Sequence, residues 1–240
     1  MTSKLVERIE DSRRVLIVAP HPDDETLGCG GLVAKLARSR TAFQFVFVTD
    51  GSASHLGSQS WSRQRLAAQR KAGAEEALNR LGVSYSPRVF LGLTDSAMPA
   101  AFSGEWQNAL MRLEAISRAF HPDLALLPWR RDPHRDHQDS WMLAHTALRR
   151  AGCSCLTLEY AIWLDELGEL ENHPRANEAD LVMIDVASAL DAKRSAIDAH
   201  QTQTTELIDD DPHGFRLTCA TIARLTKPTE AFWRPLHESD

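Results

Sequence analysis

The sequence lacks several features that would assign it to common classes of protein. Its amino terminus, MTSKLVERIEDSRR, is charged and has no apolar stretch of the kind found in signal peptides. Its longest apolar runs, such as 124–127, are far too short to cross a bilayer. Lys and Arg number 27 against 33 Asp and Glu, so the chain has no excess of basic residues to bind the phosphate backbone of a nucleic acid. We therefore expect a cytoplasmic protein with no membrane span and no nucleic-acid partner.

Cysteine is also scarce, because only four occur in 240 residues: Cys29, Cys153, Cys155 and Cys219. Such a small number suits a reducing compartment, where thiols stay free. Cys153 and Cys155 alone would supply two ligands where a structural zinc ion needs four, so a zinc–cysteine site is the weaker interpretation.

No internal repeat, low-complexity tract or Gly/Ser linker divides the chain. With 240 residues, 43% hydrophobic and 25% charged, the chain fits one globular domain with a full core. We predict a single domain over residues 1–240. The sequence leaves the oligomeric state open, a homo-oligomer included.

Strand and helix patterns alternate along the first 150 residues. Three buried strands are predicted from apolar runs without strict alternation: 14–19, 43–49 and 123–128. Four helices are predicted from apolar residues three and four apart: 25–38, 61–81, 102–120 and 134–150. This order is typical of a parallel sheet with right-handed crossovers, so we expect an α/β fold with a mostly parallel central sheet.

The pattern changes after Gly152. Two more strands are predicted over 156–164 and 181–186, separated by a polar stretch that we expect to be a surface loop. A helix is predicted over 187–202, and a last helix and a short tail follow the break at 209–212.

The loop PHPDDE, residues 20–25, directly follows the first predicted strand. Open parallel sheets bind ligands at the carboxyl ends of their strands, so functional groups should gather in such loops. His21 and Asp24 are three residues apart at the start of a predicted helix and can face one ion. Asp23 lies beside them and is free to act as a base.

The loop DPHRDH, residues 132–137, follows the predicted strand DLALLP and should open onto the same edge of the sheet. His137 with His21 and Asp24 makes a set of two histidines and one carboxylate that leaves coordination positions open, which is typical of catalytic sites. The alternative, capping acids and surface histidines, is weaker because two dense clusters follow equivalent strand ends.

Residues 121–123, His-Pro-Asp, repeat three letters of the first loop but precede a strand instead of following one. We predict that they lie at the opposite end of the sheet, with His121 ending a helix and Asp123 in the turn. Four other histidines lie in polar sequence and are predicted to be solvated: His55, His173, His213 and His237.

HPDDETLGCGG at 21–31 and HRDH at 134–137 resemble the PIG-L/LmbE-like de-N-acetylase family. Members are zinc enzymes of Rossmann-like three-layer fold that cleave N-acetyl groups, typically from N-acetylglucosamine conjugates. Further matches support the resemblance: Thr49-Asp50-Gly51, Arg70, Leu81-Gly82-Val83, Leu91-Gly92-Leu93-Thr94-Asp95, Lys193 and His200-Gln201-Thr202-Gln203.

The resemblance implies three Zn²⁺ ligands: His21, Asp24 and His137. It also implies that Asp23 is the general base, that His134 stabilises the oxyanion and that Asp136 orients a neighbouring histidine. The implied substrate is a small N-acylated amino sugar or a related conjugate.

Three residues are candidates for holding a polyhydroxylated substrate: Arg70, Asp95 and Trp129. For Trp129 the alternative is packing at the rim, and for Arg70 it is a solvated position on a helix. The family often has Glu three residues after this arginine, where this chain has Gly73, which weakens the assignment of Arg70.

Two other functional classes fit parts of the sequence. Non-haem iron(II) oxygenases use the same two-histidine, one-carboxylate ligand set, but they usually have all-β folds. A non-catalytic metal-bearing binding module needs neither Asp23 nor His134. A dinucleotide-binding domain is weaker still, because residues 28–31, Gly-Cys-Gly-Gly, lack the G-x-G-x-x-G spacing.

Overall fold

The computed structural model describes residues 2–236, without the side chains of Thr2 and Ser3, so His237 lies outside the described residues. The described strands form one seven-stranded sheet in the order β3-β2-β1-β4-β5-β7-β6. They are β1 Arg14–Ala19, β2 Ala42–Thr49, β3 Arg88–Leu93, β4 Leu124–Pro128, β5 Leu156–Tyr160, β6 Ala179–Asp185 and β7 Thr229–Pro235.

The five strands from β3 to β5 in the sheet order are parallel, and only β7 runs antiparallel to its neighbours. Strand β1 lies in the interior of the sheet between β2 and β4, and five of its six residues are buried. Val15 and Ile17 belong to the apolar core on one face of the sheet, whereas Leu16 and Val18 belong to the core on the other. Burial on both faces explains the lack of alternation in its sequence.

Helices cover both faces of the sheet. They are α1 Thr2–Glu10, α2 Asp24–Leu36, α3 Arg63–Arg80, α4 Gly104–Phe120, α5 Arg135–Arg150, α6 Leu164–Leu167, α7 Leu190–Ile197, α8 Gln201–Thr204 and α9 Cys219–Leu225. Helices α2, α3 and α7 pack together, and α4 packs on α5 on the opposite face. The fold is therefore three-layered α/β with a mixed, mostly parallel sheet.

The second half of the chain departs most from the predictions. The predicted strand over 156–164 ends at Tyr160, and the predicted helix over 187–202 is split because His200 lies in a turn between α7 and α8. The predicted tail contains β7, whose partners β5 and β6 are distant in sequence. Such non-local pairing leaves little signal in the sequence of one short strand.

No helix within residues 2–236 is long and apolar enough to cross a membrane. None of the four cysteines, all within the described residues, forms a disulfide. The cytoplasmic location stays a prediction.

Candidate metal centre and catalytic site

The first predicted loop turns the chain from the carboxyl end of β1 into α2. The backbone N–H of His21 donates to Asp24 Oδ2 at 2.9 Å, which closes the loop. The same oxygen lies 3.1 Å from His21 Nδ1. The imidazole and the carboxylate therefore meet as the three-residue spacing predicts.

The second loop, between β4 and α5, brings His137 to the same carboxylate. His137 is completely buried, and its Nε2 lies 3.3 Å from Asp24 Oδ2. Neither ring nitrogen of His137 has a hydrogen-bond partner. A buried nitrogen without a partner is costly unless something binds it.

These three side chains fit a divalent metal ion. Ligand atoms about 2.1 Å from a tetrahedral ion lie about 3.4 Å from one another. The distances from Asp24 Oδ2 to the two imidazoles, 3.1 and 3.3 Å, match that spacing. A metal ion at this point would be the partner that the Nε2 of His137 otherwise lacks.

The electrostatics also favour positive charge at this point. Burial opposes the charged form of Asp24, yet His137 and His21 hold the pKa of this carboxyl well below its usual range. Burial likewise opposes a charged His137, but Asp24 and Asp132 raise its pKa to about 10. A charged carboxylate buried at this point needs a positive partner, and a bound cation would supply one.

Asp132 lies behind His137 and is a residue of the site that the sequence reasoning missed. Its Oδ1 lies 3.5 Å from His137 Nδ1. Its two oxygens also accept backbone N–H bonds from His134, Ile162 and Trp163 at 3.0–3.1 Å. A carboxylate behind a ligating histidine is a recurring feature of metal sites. The sequence signal was present, because Asp132 begins DPHRDH.

The predicted base, Asp23, forms a buried ion pair with Arg70. Arg70 Nη2 lies 2.9 Å from Asp23 Oδ2, and the guanidinium also donates to the carbonyls of Gly51 and Pro22. Burial raises the pKa of Asp23 to about 6, although Arg70 opposes this shift. Arg70 is buried, so the solvated alternative is wrong, and its contacts place it on Asp23.

Gly73 stands where α3 passes close to the turn before α8. A Cβ at this position would lie 3.1 Å from the carbonyl oxygen of Ala199 and 3.6 Å from His200 Nδ1. A longer side chain has no room there unless the turn moves. The departure from the family pattern therefore reflects local packing.

His134 lines the cavity, and a backbone hydrogen bond defines its tautomer. Its Nδ1 accepts the backbone N–H of Asp136 at 3.2 Å. Burial and the neighbouring His21 and His137 lower the pKa of His134 to about 4, which keeps the ring neutral at pH 7. A neutral ring that accepts at Nδ1 has its proton on Nε2.

Two carboxylates hold the far side of the His21 ring. Asp136 Oδ2 lies 3.1 Å from His21 Nε2 and accepts the backbone N–H of Ser96. Asp95 Oδ1 lies 3.3 Å from the same nitrogen, and its Oδ2 accepts the backbone N–H of Ala53. The histidine that Asp136 contacts is therefore His21. Asp95, predicted to hold substrate, lines the cavity but also contacts His21.

Trp129, the third candidate for substrate contact, is placed elsewhere. Its side chain is completely buried, packs against Trp233 with ring centroids 5.9 Å apart and donates from Nε1 to the carbonyl of Asn172. No face of the indole is open for a sugar to stack on. The prediction that Trp129 contacts substrate is wrong, and the packing alternative describes it.

A cavity of about 260 Å³ opens above the two loops. Six predicted residues line it: His21, Asp23, Asp24, Arg70, Asp95 and His134. The opposite wall comes from Trp163, Leu167 and Phe215, which the sequence did not single out. His55, predicted to be solvated, is instead buried and lies against Gly214.

Comparison with known proteins identifies the family. Residues 16–148, more than half of the chain, match the PIG-L family model, described as GlcNAc-PI de-N-acetylase. The chain belongs to the PIG-L family. The resemblance in HPDDETLGCGG and HRDH is thereby confirmed.

Relatives of this PIG-L protein include named deacetylases. A 1D-myo-inositol 2-acetamido-2-deoxy-alpha-D-glucopyranoside deacetylase of Rhodococcus jostii is 29% identical over 80% of this chain and 82% of its own length. A structure of N,N'-diacetylchitobiose deacetylase from Pyrococcus horikoshii aligns with a TM-score of 0.70 at 21% identity, over 98% of this chain and 90% of that one. These relatives are amide hydrolases, which confirms the prediction of an enzyme of this class.

The same fold also occurs with another activity. The structure of GalB, the 4-carboxy-2-hydroxymuconate hydratase of Pseudomonas putida, aligns with a TM-score of 0.69 at 18% identity, over 95% of this chain and 98% of that one. The fold alone therefore does not define the reaction, and the side chains in the cavity must be considered.

Proposed function

We propose that this PIG-L protein is a zinc-dependent hydrolase that removes an N-acetyl group from an amino-sugar-containing substrate. The observation that supports this most directly is the meeting of His21, Asp24 and His137 around one point. Asp23 and His134 line the same cavity. The strand order β3-β2-β1-β4-β5 supports the Rossmann-like description of the fold.

His21, Asp24 and His137 would hold the zinc ion. Zinc bound there would supply a water whose pKa is lowered to about 7. Asp23 accepts a proton from the attacking water, since burial places the pKa of this carboxyl at about 6. Arg70 holds the Asp23 carboxylate in place through its 2.9 Å ion pair.

His134 donates from Nε2 to the oxygen of the amide carbonyl as that oxygen becomes negative. The hydroxyl of the water joins the acyl carbon, the C–N bond breaks, and the proton held by Asp23 passes to the leaving amine. Acetate and a free amino sugar are the products.

The test is release of acetate from a panel of N-acetylated amino sugars, with and without a chelator. We expect release from at least one member, loss of release on chelation and recovery with Zn²⁺. Release that persists in the Asp23→Asn variant, or that needs no metal, would contradict the proposal. Oxygen consumption with Fe²⁺ would instead support the oxygenase alternative.

A further inference from the structure

The wall opposite the predicted catalytic residues is apolar and exposed. Leu167 is 61% exposed and Phe215 is 40% exposed. The rings of Trp163 and Phe215 meet edge to face, with centroids 5.6 Å apart. Scattered apolar side chains on a surface need no explanation, but three that line one cavity indicate a binding surface.

Backbone hydrogen bonds join this apolar wall to two loops at the cavity, the loop before α5 and the loop after β2. The backbone N–H of Trp163 donates to Asp132, the carboxylate that lies behind His137. The backbone N–H of Phe215 donates to the carbonyl of Ser54 at 2.7 Å. A preformed surface loses little entropy when a ligand binds to it.

The wall lies at the mouth of the cavity, whereas Asp23 and Asp24 are buried at its floor. The cavity volume of about 260 Å³ is below the roughly 300–1,000 Å³ that encloses a drug-sized ligand. The amide to be cleaved must reach the floor. The part of the substrate farthest from the amide therefore lies across the exposed wall.

The charges in the cavity disfavour an anionic substrate. Three carboxylates line it, those of Asp23, Asp24 and Asp95. Arg70 is the only Lys or Arg among the lining residues, and it is paired with Asp23. A phosphate at the mouth would find apolar side chains and no unpaired guanidinium or ammonium in the lining.

We propose that Trp163, Leu167 and Phe215 form a subsite for an uncharged, apolar aglycone on the amino sugar. This subsite rests on the proposed function for the identity of the sugar. An apolar subsite at this position would distinguish this chain from an enzyme whose substrate is a sugar phosphate.

Binding of free amines, which have no acetyl group to lose, tests the subsite without turnover. Calorimetry would compare the phenyl and methyl glycosides of glucosamine with glucosamine 1-phosphate. We expect the phenyl glycoside to bind roughly threefold to tenfold more tightly than the methyl glycoside, the gain typical of an aromatic contact. The 1-phosphate should bind more weakly than either.

Substitutions in the wall should remove that preference. Phe215→Ala and Leu167→Ala are expected to bring the two dissociation constants together while leaving that of the methyl glycoside unchanged, and Phe215→Tyr should keep the preference. Leu170→Ala is the matched control, because Leu170 is exposed in the same segment but does not line the cavity. Melting temperatures would verify that each variant folds.

Equal binding of phenyl and methyl glycosides, or a preference that survives both alanine substitutions, would overturn the subsite. So would tighter binding of the 1-phosphate. If Phe215→Ala instead alters discrimination between N-acetyl and N-butanoyl methyl glycosides, the wall holds the acyl group and the proposal is wrong. Absence of acetate release from every glycoside contradicts the proposed function separately, because the subsite is measured on amines.

Discussion

The chain contains the tripeptide His-Pro-Asp twice, at 21–23 and at 121–123. The two copies have different structural roles. The first follows β1 and lies at the carboxyl edge of the sheet. The second precedes β4 and lies at the opposite edge, where His121 ends α4 with a positive φ of 48°. Asp123 accepts the backbone N–H groups of Arg13 and Arg14 at the start of β1.

The difference shows that position on the sheet decides what the same three side chains do. At the carboxyl edge, loops from β1 and β4 converge and bury their polar groups together. At the amino edge, Asp123 joins the starts of two strands through hydrogen bonds to backbone N–H groups. The second copy therefore supplies matched control positions for residues at the carboxyl edge.

The largest difference is expected between His137→Ala and His121→Ala. His137→Ala removes a metal ligand, so bound metal and measurable acetate release should both be lost. His121→Ala should keep both, because this ring lies at the end of α4. Metal content by elemental analysis and acetate release check this pair. Full metal occupancy in His137→Ala would contradict the role of His137 as a metal ligand.

The two aspartates of the repeated tripeptide form the next pair. Asp23→Asn should lower turnover by about 10²- to 10⁴-fold with metal retained, the usual cost of losing a general base. Asp123→Asn should leave turnover intact and lower the free energy of unfolding by about 1 kcal/mol, since it weakens bonds to two backbone N–H groups. Kinetics and urea denaturation measure the two effects, and similar kinetics in both variants would refute the distinction.

His134 and His137 lie in the same loop. Variants of the two should distinguish a loss of turnover from a loss of bound metal. His134→Ala should keep the metal and lower turnover by about 10²- to 10³-fold, the loss of one oxyanion donor. Metal content and turnover measured on one preparation decide the roles. Equal metal retention in His134→Ala and His137→Ala would show that these roles are misassigned.

The smallest expected effect concerns Arg70. The charge of Arg70 lowers the pKa of Asp23, so Arg70→Gln should raise that pKa. Because the base must be unprotonated, the acid limb of the pH–rate profile should move to higher pH by about one pH unit. The KM should change little, since the guanidinium contacts Asp23. A raised KM with an unmoved acid limb would restore Arg70 as a substrate contact.

Sequence patterns located the floor of the site but not its wall. His21, Asp24 and His137 could be predicted because each loop follows a strongly apolar strand and because the spacing within each loop is local. Trp163 and Phe215 could not, since they lie in segments without periodicity and meet only through tertiary packing. The roles of Arg70 and Trp129 depend on where long side chains turn, which sequence spacing does not determine.

Anomalous diffraction from crystals of the protein grown with Zn²⁺ would show directly whether His21, Asp24 and His137 bind one ion. One peak is expected, within bonding distance of Asp24 Oδ2 and the imidazoles of His21 and His137. His21 also forms a second possible group with His134 and Asp136. A peak at that second group alone, or none at either, would contradict the account.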